Sequence, residues 1–322
     1  MKRIEIDNSL IKTVKNFNDI LFCDRRQSGN KPFILPRTGL KKLYKTLNDT
    51  NQKRYIIKLF REYENLLNLK PSEFYQKKQE FDNIYIINGI KGSISTNFGK
   101  MVVEALRYDS YRNSQYPNII NKLRWNLKAC FYCNYVGTLT LTRAKKYKTF
   151  YDLDHIYPKS IYPFLATSFF NFIPSCATCN RSKSTKIINE LNPFYEIGEK
   201  NILLNTVFEI TNVSKVNFYT KNEIDKISIV VADKINNVDK KEFDKIVDLE
   251  LLYNSQKHIA AEILWKKRIY TKSYINTIKT TFSKLNLKKH DINRILWGID
   301  LNDETVNREP LAKFKFDLIN DI

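Results

Sequence analysis

The chain has 322 residues, with 54 Lys and Arg against 34 Asp and Glu, for a formal net charge of +20. Its 43% hydrophobic and 13% aromatic content excludes a disordered protein, and no apolar run reaches the eighteen or more residues of a membrane span. The opening Met-Lys-Arg-Ile-Glu-Ile lacks the apolar core of a signal peptide, and five cysteines without a disulfide framework suit a reducing, cytoplasmic home with no membrane partner. A surface of this charge attracts phosphate backbones, so nucleic acid is the expected partner. An A+T-rich coding sequence, which enriches Lys, Asn and Ile without purpose, is the competing explanation of the charge.

Residues 1–125 read as a helical N-terminal region. Ile56, Leu59, Phe60, Tyr63, Leu66 and Leu67 recur at helical spacing, and Pro71 follows where the pattern ends. Gly, Ser and Asn between Asn88 and Gly99 mark a surface loop. Gly89 and Gly92 flank Lys91 there, but no Gly-Lys-Ser/Thr follows, which excludes a nucleotide-hydrolase phosphate loop. A further helix is expected from Asn118 to Leu127, feeding into the first cysteine pair.

Residues 126–190 carry the chemistry. Cys130-Phe-Tyr-Cys133 and Cys176-Ala-Thr-Cys179 are two Cys-x-x-Cys knuckles, and two such knuckles complete a tetrahedral four-thiolate shell for a structural Zn²⁺. A redox pair or four core cysteines are the plainer readings, and Cys23 carries no signal. Between the knuckles, two β-rich runs, Thr138 to Thr142 and Tyr147 to Leu153, flank a basic turn Arg143-Ala-Lys145-Lys146, so that the second strand ends at Asp154-His155. An aromatic stretch from Ile161 to Phe172 precedes a helix starting near Cys176 that carries Cys179, Asn180 and Lys183. A hairpin followed by a helix can clamp one divalent ion between a strand-end carboxylate and a helix-borne amide oxygen, hard ligands that suit Mg²⁺ or Mn²⁺. Taken singly, an Asp-His at a strand end is usually a surface pair, and an Asn after a knuckle a turn former.

Residues 191–322 read as an α+β, mainly helical C-terminal domain. Phe208 and Ile210, Val216 and Phe218, then Ile227, Ile229 and Val231 alternate as short strands would. Asp239-Lys-Lys-Glu242 has the form of a capping box opening a helix with Phe243, Ile246 and Val247 on one face. Further helices are expected through Ile259, Ile263 and Leu264 and from Ser273 to Leu285. Lys266, Lys267, Arg268 and Lys272 form either a phosphate-tracking strip or an ordinary solvated face. His258 and His290 have no ligand-spaced partner.

The order Asp152-Leu-Asp154-His155-Ile-Tyr-Pro-Lys159-Ser, then Asn171, then Cys176-x-x-Cys179-Asn180-Arg181-Ser-Lys183 resembles the HNH (ββα-metal) endonucleases, in the zinc-containing subgroup with two cysteine pairs. It is also similar to the HNH proteins of Septu- and retron-type anti-phage systems. The resemblance covers about sixty residues, roughly Cys130 to Lys186. It implies that His155 is the general base, that Asp154 and Asn180 hold a catalytic Mg²⁺ or Mn²⁺, and that Asn171 holds the loop that orients the base. Many members carry His at the third position, so this chain is an Asp-His/Asn/Asn variant, a form that looks like the nuclease domain of RNA-guided CRISPR effectors. Asp152 is a candidate further ligand or partner of the site. Lys159, Arg181 and Lys183 are placed to contact phosphates.

The expectation is an α+β fold, mostly helical, with a central zinc-stapled ββα-metal core and a small β element toward the C-terminus. The expected function is DNA endonuclease activity in phage defence or restriction, beside an ATPase or other defence-system protein. The alternatives are a zinc-stabilised nucleic-acid-binding or assembly subunit without catalysis, and an RNase toxin.

Overall fold

The structure is a computed structural model and describes residues 3–22, 35–87, 90–91, 95–117, 127–143, 146–187, 192–196, 206–233, 238–281, 283, 287–302 and 305–321. The expected helix over Asn118 to Leu127 up to its last residue, the centre of the basic turn at 144–145, positions 88–89 and 92–94 of the expected loop, Cys23 and the tail of the Ser273 to Leu285 helix lie outside the described residues. Within the expected Asn88 to Gly99 loop, Ile90–Lys91 is a strand and Thr96 opens a helix that the Ser95 side chain caps. What is described is mostly helical, with two-stranded sheets between the helices.

The N-terminal region runs β1 (Ile4–Ile6), α1 (Asn8–Phe22), α2 (Pro36–Thr46), α3 (Thr50–Leu67), α4 (Phe74–Asp82), a short β2/β3 pair (Ile86–Ile87 and Ile90–Lys91), α5 (Thr96–Ala105) and a single turn α6 (Tyr108–Ser110). The helical periodicity of α3 is realised: Ile56, Leu59, Tyr63, Leu66 and Leu67 are buried, and the Asp49 side chain caps the helix by accepting from the Gln52 N–H. A Cβ at Gly39 in α2 would stand 2.2 Å from the Ala105 carbonyl oxygen, so only glycine lets α2 and α5 approach this closely.

Three two-stranded units organise the centre of the chain. β4 (Thr140–Arg143) pairs with β5 (Lys146–Thr149), and β6 (Asp152–His155) pairs antiparallel with β7 (Phe172–Ser175), leading into α7 (Ala177–Lys183). The expected second strand, Tyr147 to Leu153, is therefore broken at Phe150 and Tyr151. Asp154-His155 belongs to a separate strand whose partner, Phe172–Ser175, starts at the last residue of the aromatic stretch. The third unit, β8 (Phe194–Glu196), lies parallel to β1 and ties the segment after α7 back to the N-terminus.

The C-terminal region holds β9 (Thr206–Ile210), α8 (Asn212–Lys221), β10 (Ile229–Asp233), α9 (Val238–Asp244), α10 (Leu249–Asn254), α11 (Lys257–Ile269), α12 (Lys272–Thr281), α13 (Lys289–Trp297) and α14 (Ala312–Asn320). β9 and β10 pair antiparallel, as Phe208, Ile210, Ile229 and Val231 suggest. Val216 and Phe218 instead lie in α8: Thr211 caps its first turn at the Ser214 N–H, Ser214 and Phe218 are buried four residues apart, and Val216 is exposed. The expected capping box is also displaced. Asp239 lies inside α9, which ends before Ile246, and the capping carboxylate is Asp248 of α10, accepting from the Leu251 N–H.

Two apolar clusters result. One gathers the N-terminal helices with Leu153, Ile156, Tyr157 and Phe172; the other gathers the cysteines, Ile173 and the C-terminal elements. Because adjacent strand residues point to opposite faces, Phe172 and Ile173 send their side chains into different clusters, and β7 stands between them.

Candidate metal centre and adjoining cleft

The two knuckles close on one another. The four sulfurs of Cys130, Cys133, Cys176 and Cys179 lie within 4.8 Å of each other, all buried, with 4.0 Å between those of Cys133 and Cys176. A tetrahedral zinc ion at about 2.3 Å from each thiolate sets sulfurs about 3.8 Å apart, so this set fits zinc. Backbone N–H groups of Tyr135, Cys176 and Cys179 donate to the sulfurs of Cys133, Cys130 and Cys176 at 3.3–3.4 Å, which favours thiolate over thiol. Burial pushes the Cys130 thiol up, an opposing cost that a bound cation offsets. Among the described residues, no other group of three or more His, Cys, Asp or Glu gathers in this way.

The first knuckle is clamped from the C-terminal side. Asn134 takes a left-handed conformation (φ 51°), its amide nitrogen donates to the Val306 carbonyl, and its side-chain oxygen accepts from the Lys313 N–H. Tyr253 donates its hydroxyl to the Cys133 carbonyl at 2.7 Å. A buried Lys313–Asp317 pair sits alongside in α14, with Asp317 also accepting from the Phe208 N–H.

β6, β7 and α7 form a β-β-α unit, in which β6 and α7 face each other across a short span. Two strand residues advance about 6.6 Å and three helix residues about 4.5 Å, so Asp152 and Asp154 on one face of β6 meet Asn180 and Lys183 of α7 in matching order. Asn180 donates its amide nitrogen to Asp152 Oδ2 at 3.1 Å, and Arg112 reaches the other Asp152 oxygen at 3.7 Å. With its nitrogen committed, Asn180 has its Oδ1 as the atom for a cation. Lys183 is 2% exposed, and its ammonium lies 3.1 Å from Asp154 Oδ2 and 2.7 Å from the His155 carbonyl. The lysine expected to meet phosphate is thus spent inside the protein on holding Asp154.

Asp154 is 4% exposed and also accepts the Tyr132 hydroxyl at 2.5 Å. Burial pushes its carboxyl above the ordinary carboxylate range, with the Lys183 charge and the Tyr132 hydrogen bond pulling the other way.

His155, next along the strand, points to the other face. Its ring packs against Phe172, its register partner, and Tyr108, with centroids 4.8 and 5.0 Å away. Burial, reinforced by the nearby Lys159 charge, drives its pKa well below the usual imidazole value. Nε2 lies 3.3 Å from the Ala166 carbonyl oxygen, which can only accept, so the hydrogen bond assigns the proton to Nε2 and leaves Nδ1 as the basic nitrogen.

Asn171 is fully buried and spends its side chain on the loop between the strands. Its oxygen accepts from the Tyr157 N–H at 2.8 Å, and its nitrogen donates to the carbonyls of Tyr157 and Leu165 at 3.0 and 3.1 Å. This bracket closes the segment that carries Ala166, the partner of His155.

Asp154, His155 and Asn180 line one cleft of about 450 Å³, whose facing wall is α5 and α6, including Lys100, Glu104 and Asp109. Lys159 lies at the same cleft, half-buried, its ammonium 4.8 Å over the Tyr108 ring. Arg181 is exposed on α7. The sequence carries no sign of the roles of the α5–α6 wall and Arg112, which fall in no motif, or of Tyr132, which lies within the first knuckle but meets Asp154 only through long-range packing.

The basic strip from α11 to the start of α12 is divided. Lys266 pairs with Glu262 at 2.6 Å, Lys267 is half-buried with its pKa lowered to about 8 by desolvation, and Arg268 and Lys272 are exposed. His258 and His290 are exposed, the latter 3.2 Å from Asp291. Among the described residues, no helix is long and apolar enough to cross a membrane. No family model, curated protein or solved structure matches the chain.

Proposed function

We propose that the protein is a metal-dependent endonuclease of the HNH type that hydrolyses phosphodiester bonds of DNA, in restriction or phage defence. The observation that carries this reading is the meeting, in one cleft, of a buried carboxylate (Asp154), an amide oxygen left available by the Asn180–Asp152 bond, and an imidazole (His155) whose Nδ1 is basic. These are hard oxygen donors beside a neutral base, and they fit a Mg²⁺ or Mn²⁺ ion. Held by Asp154 and Asn180, such an ion supplies polarisation of the scissile phosphate and charge neutralisation at the leaving 3′ oxygen.

The protein's own groups do the rest. His155 Nδ1 takes a proton from the attacking water, while the Nε2–H bond to Ala166 fixes the ring's tautomer and stabilises the imidazolium that forms. Asn171 keeps that carbonyl in place through Leu165 and Tyr157. Lys159 and Arg181 offer positive charge to flanking phosphates. A +20 chain concentrates polyanions at its surface in the same sense. A partner protein such as an ATPase belongs to this reading through the sequence resemblance alone.

The test is incubation of the zinc-loaded protein with supercoiled plasmid, linear duplex, single-stranded DNA and RNA in Mg²⁺ or Mn²⁺, with chelator and His155→Ala controls. The expected result is nicking or cutting of DNA that chelator stops and that His155→Ala slows about 10²- to 10⁴-fold at unchanged zinc content. Cleavage of RNA alone would move the protein to the toxin reading. Binding without cleavage in any metal would leave a zinc-stabilised binding subunit.

A further inference from the structure

We infer that Tyr132 is a positioning residue that couples the zinc centre to the divalent-metal site. This rests on the reading of Asp154 as a metal ligand and goes beyond it, because it gives the four-cysteine centre a part in catalysis besides stapling the fold.

Tyr132 lies inside the first knuckle, between Cys130 and Cys133, and is 2% exposed. Two cysteines ligating one ion restrict the backbone between them, and burial with an edge-on contact to Phe131 holds the Tyr132 ring. Its hydroxyl donates to Asp154 Oδ2. The second knuckle acts on the same carboxylate: Cys176 is the N-cap of α7, and the Lys183 ammonium one helix-length later contacts both Asp154 oxygens, at 3.1 and 3.3 Å. One donor to Asp154 thus comes from within the first knuckle and one from the helix that the second knuckle opens, and together they fix which lone pairs of the carboxylate remain for a cation. Hydrogen bonds to a ligating carboxylate commonly control metal affinity by about 10- to 100-fold.

Tyr253 provides an internal comparison. Its hydroxyl is also buried and also bonds the first knuckle, at the Cys133 carbonyl, but it does not touch Asp154. Removing either hydroxyl deletes one buried hydrogen bond from the same turn, and only one of them reaches the carboxylate.

The experiment is Mn²⁺ titration of the zinc-loaded full chain, read by the paramagnetic resonance signal of free Mn²⁺. Wild type is compared with Tyr132→Phe, Tyr253→Phe and Asp154→Ala, with zinc content and melting temperature measured on each. The expected result is a Mn²⁺ dissociation constant raised about tenfold by Tyr132→Phe and unmoved by Tyr253→Phe, with both retaining zinc, and binding abolished by Asp154→Ala. Equal affinity of Tyr132→Phe and wild type would overturn the coupling. Equal weakening by the two phenylalanine variants would overturn it as well, since that is the signature of a loosened knuckle. Unchanged Mn²⁺ binding by Asp154→Ala would instead overturn the metal-site reading on which the inference rests.

Discussion

The behaviour of His155 follows from its surroundings: an imidazole enclosed by Tyr108, Phe172 and the loop backbone cannot carry charge cheaply, and Lys159 adds like-charge repulsion. The acid limb of the rate profile should therefore fall below the ordinary imidazole value of 6.5, because the base stays unprotonated until the pH drops beneath it. A limb centred at or above 6.5 in a pH–rate measurement would contradict the assigned base. The same depressed pKa has a stability consequence. The unfolded chain binds the proton more readily than the folded one, so this group's contribution is present above 6.5 and is lost as the pH falls toward the folded value. Asn171 makes a second prediction. Asn171→Ala leaves one buried N–H and two buried carbonyls without their partner, at a cost on the order of 3 kcal/mol, readable by denaturant unfolding. A change below about 0.5 kcal/mol, within the range of an ordinary surface substitution, would show that the bracket is not needed.

At the scale of elements, what the sequence made legible is what local chemistry controls. The α3 stripe, the β9 and β10 alternation, the helix opening at Cys176 and the closure of the two knuckles all follow from spacing within a few residues. The strand paired with Asp154-His155 was hidden because Phe172-Ile-Pro-Ser175 contains a proline, which argues against a strand unless the sheet is narrow. With only two strands both are edges, and Pro174 sits opposite Leu153 without breaking a wider ladder. The misread segment at Val216 has period-two alternation, but burial of Ser214 and Phe218 on one helical face outweighed it. Of the residues that the motif order groups, Asp154, His155 and Asn180 line one cleft and Asn171 braces the loop beside it; the inward turn of Lys183 was not legible, since a lysine two residues after an exposed arginine reads as surface until Asp154 is placed beneath it. The knuckles carry the element-scale prediction. Cys176→Ala should lose zinc and lower the melting temperature, and because Cys176 also caps α7, a role alanine cannot fill, Mn²⁺ affinity should fall with it. Full zinc content in that variant would contradict a four-thiolate centre.

For the whole molecule, charge and fold act together. The ββα unit does not stand on a core of its own: β7 contributes to both apolar clusters, and the C-terminal segment grips the first knuckle through Asn134. The flanking regions therefore support the site mechanically, whatever else they bind. The excess of 20 positive charges predicts steep salt dependence of nucleic-acid binding. Contacts to six or more phosphates would lower the association constant by about 10³-fold or more between roughly 50 and 200 mM salt, measurable by fluorescence anisotropy on a labelled duplex. A flat salt profile would assign the excess lysine to coding bias.

Anomalous diffraction from crystals grown with zinc and soaked in Mn²⁺ tests the arrangement of ions most directly. The account predicts a zinc peak inside the Cys130, Cys133, Cys176 and Cys179 sulfurs. It also predicts a manganese peak about 2.1 Å from an Asp154 oxygen and from Asn180 Oδ1, on the side of the cleft facing His155. A manganese peak held by Glu104 or Asp109 on the opposite wall, or none in the cleft at all, would contradict it.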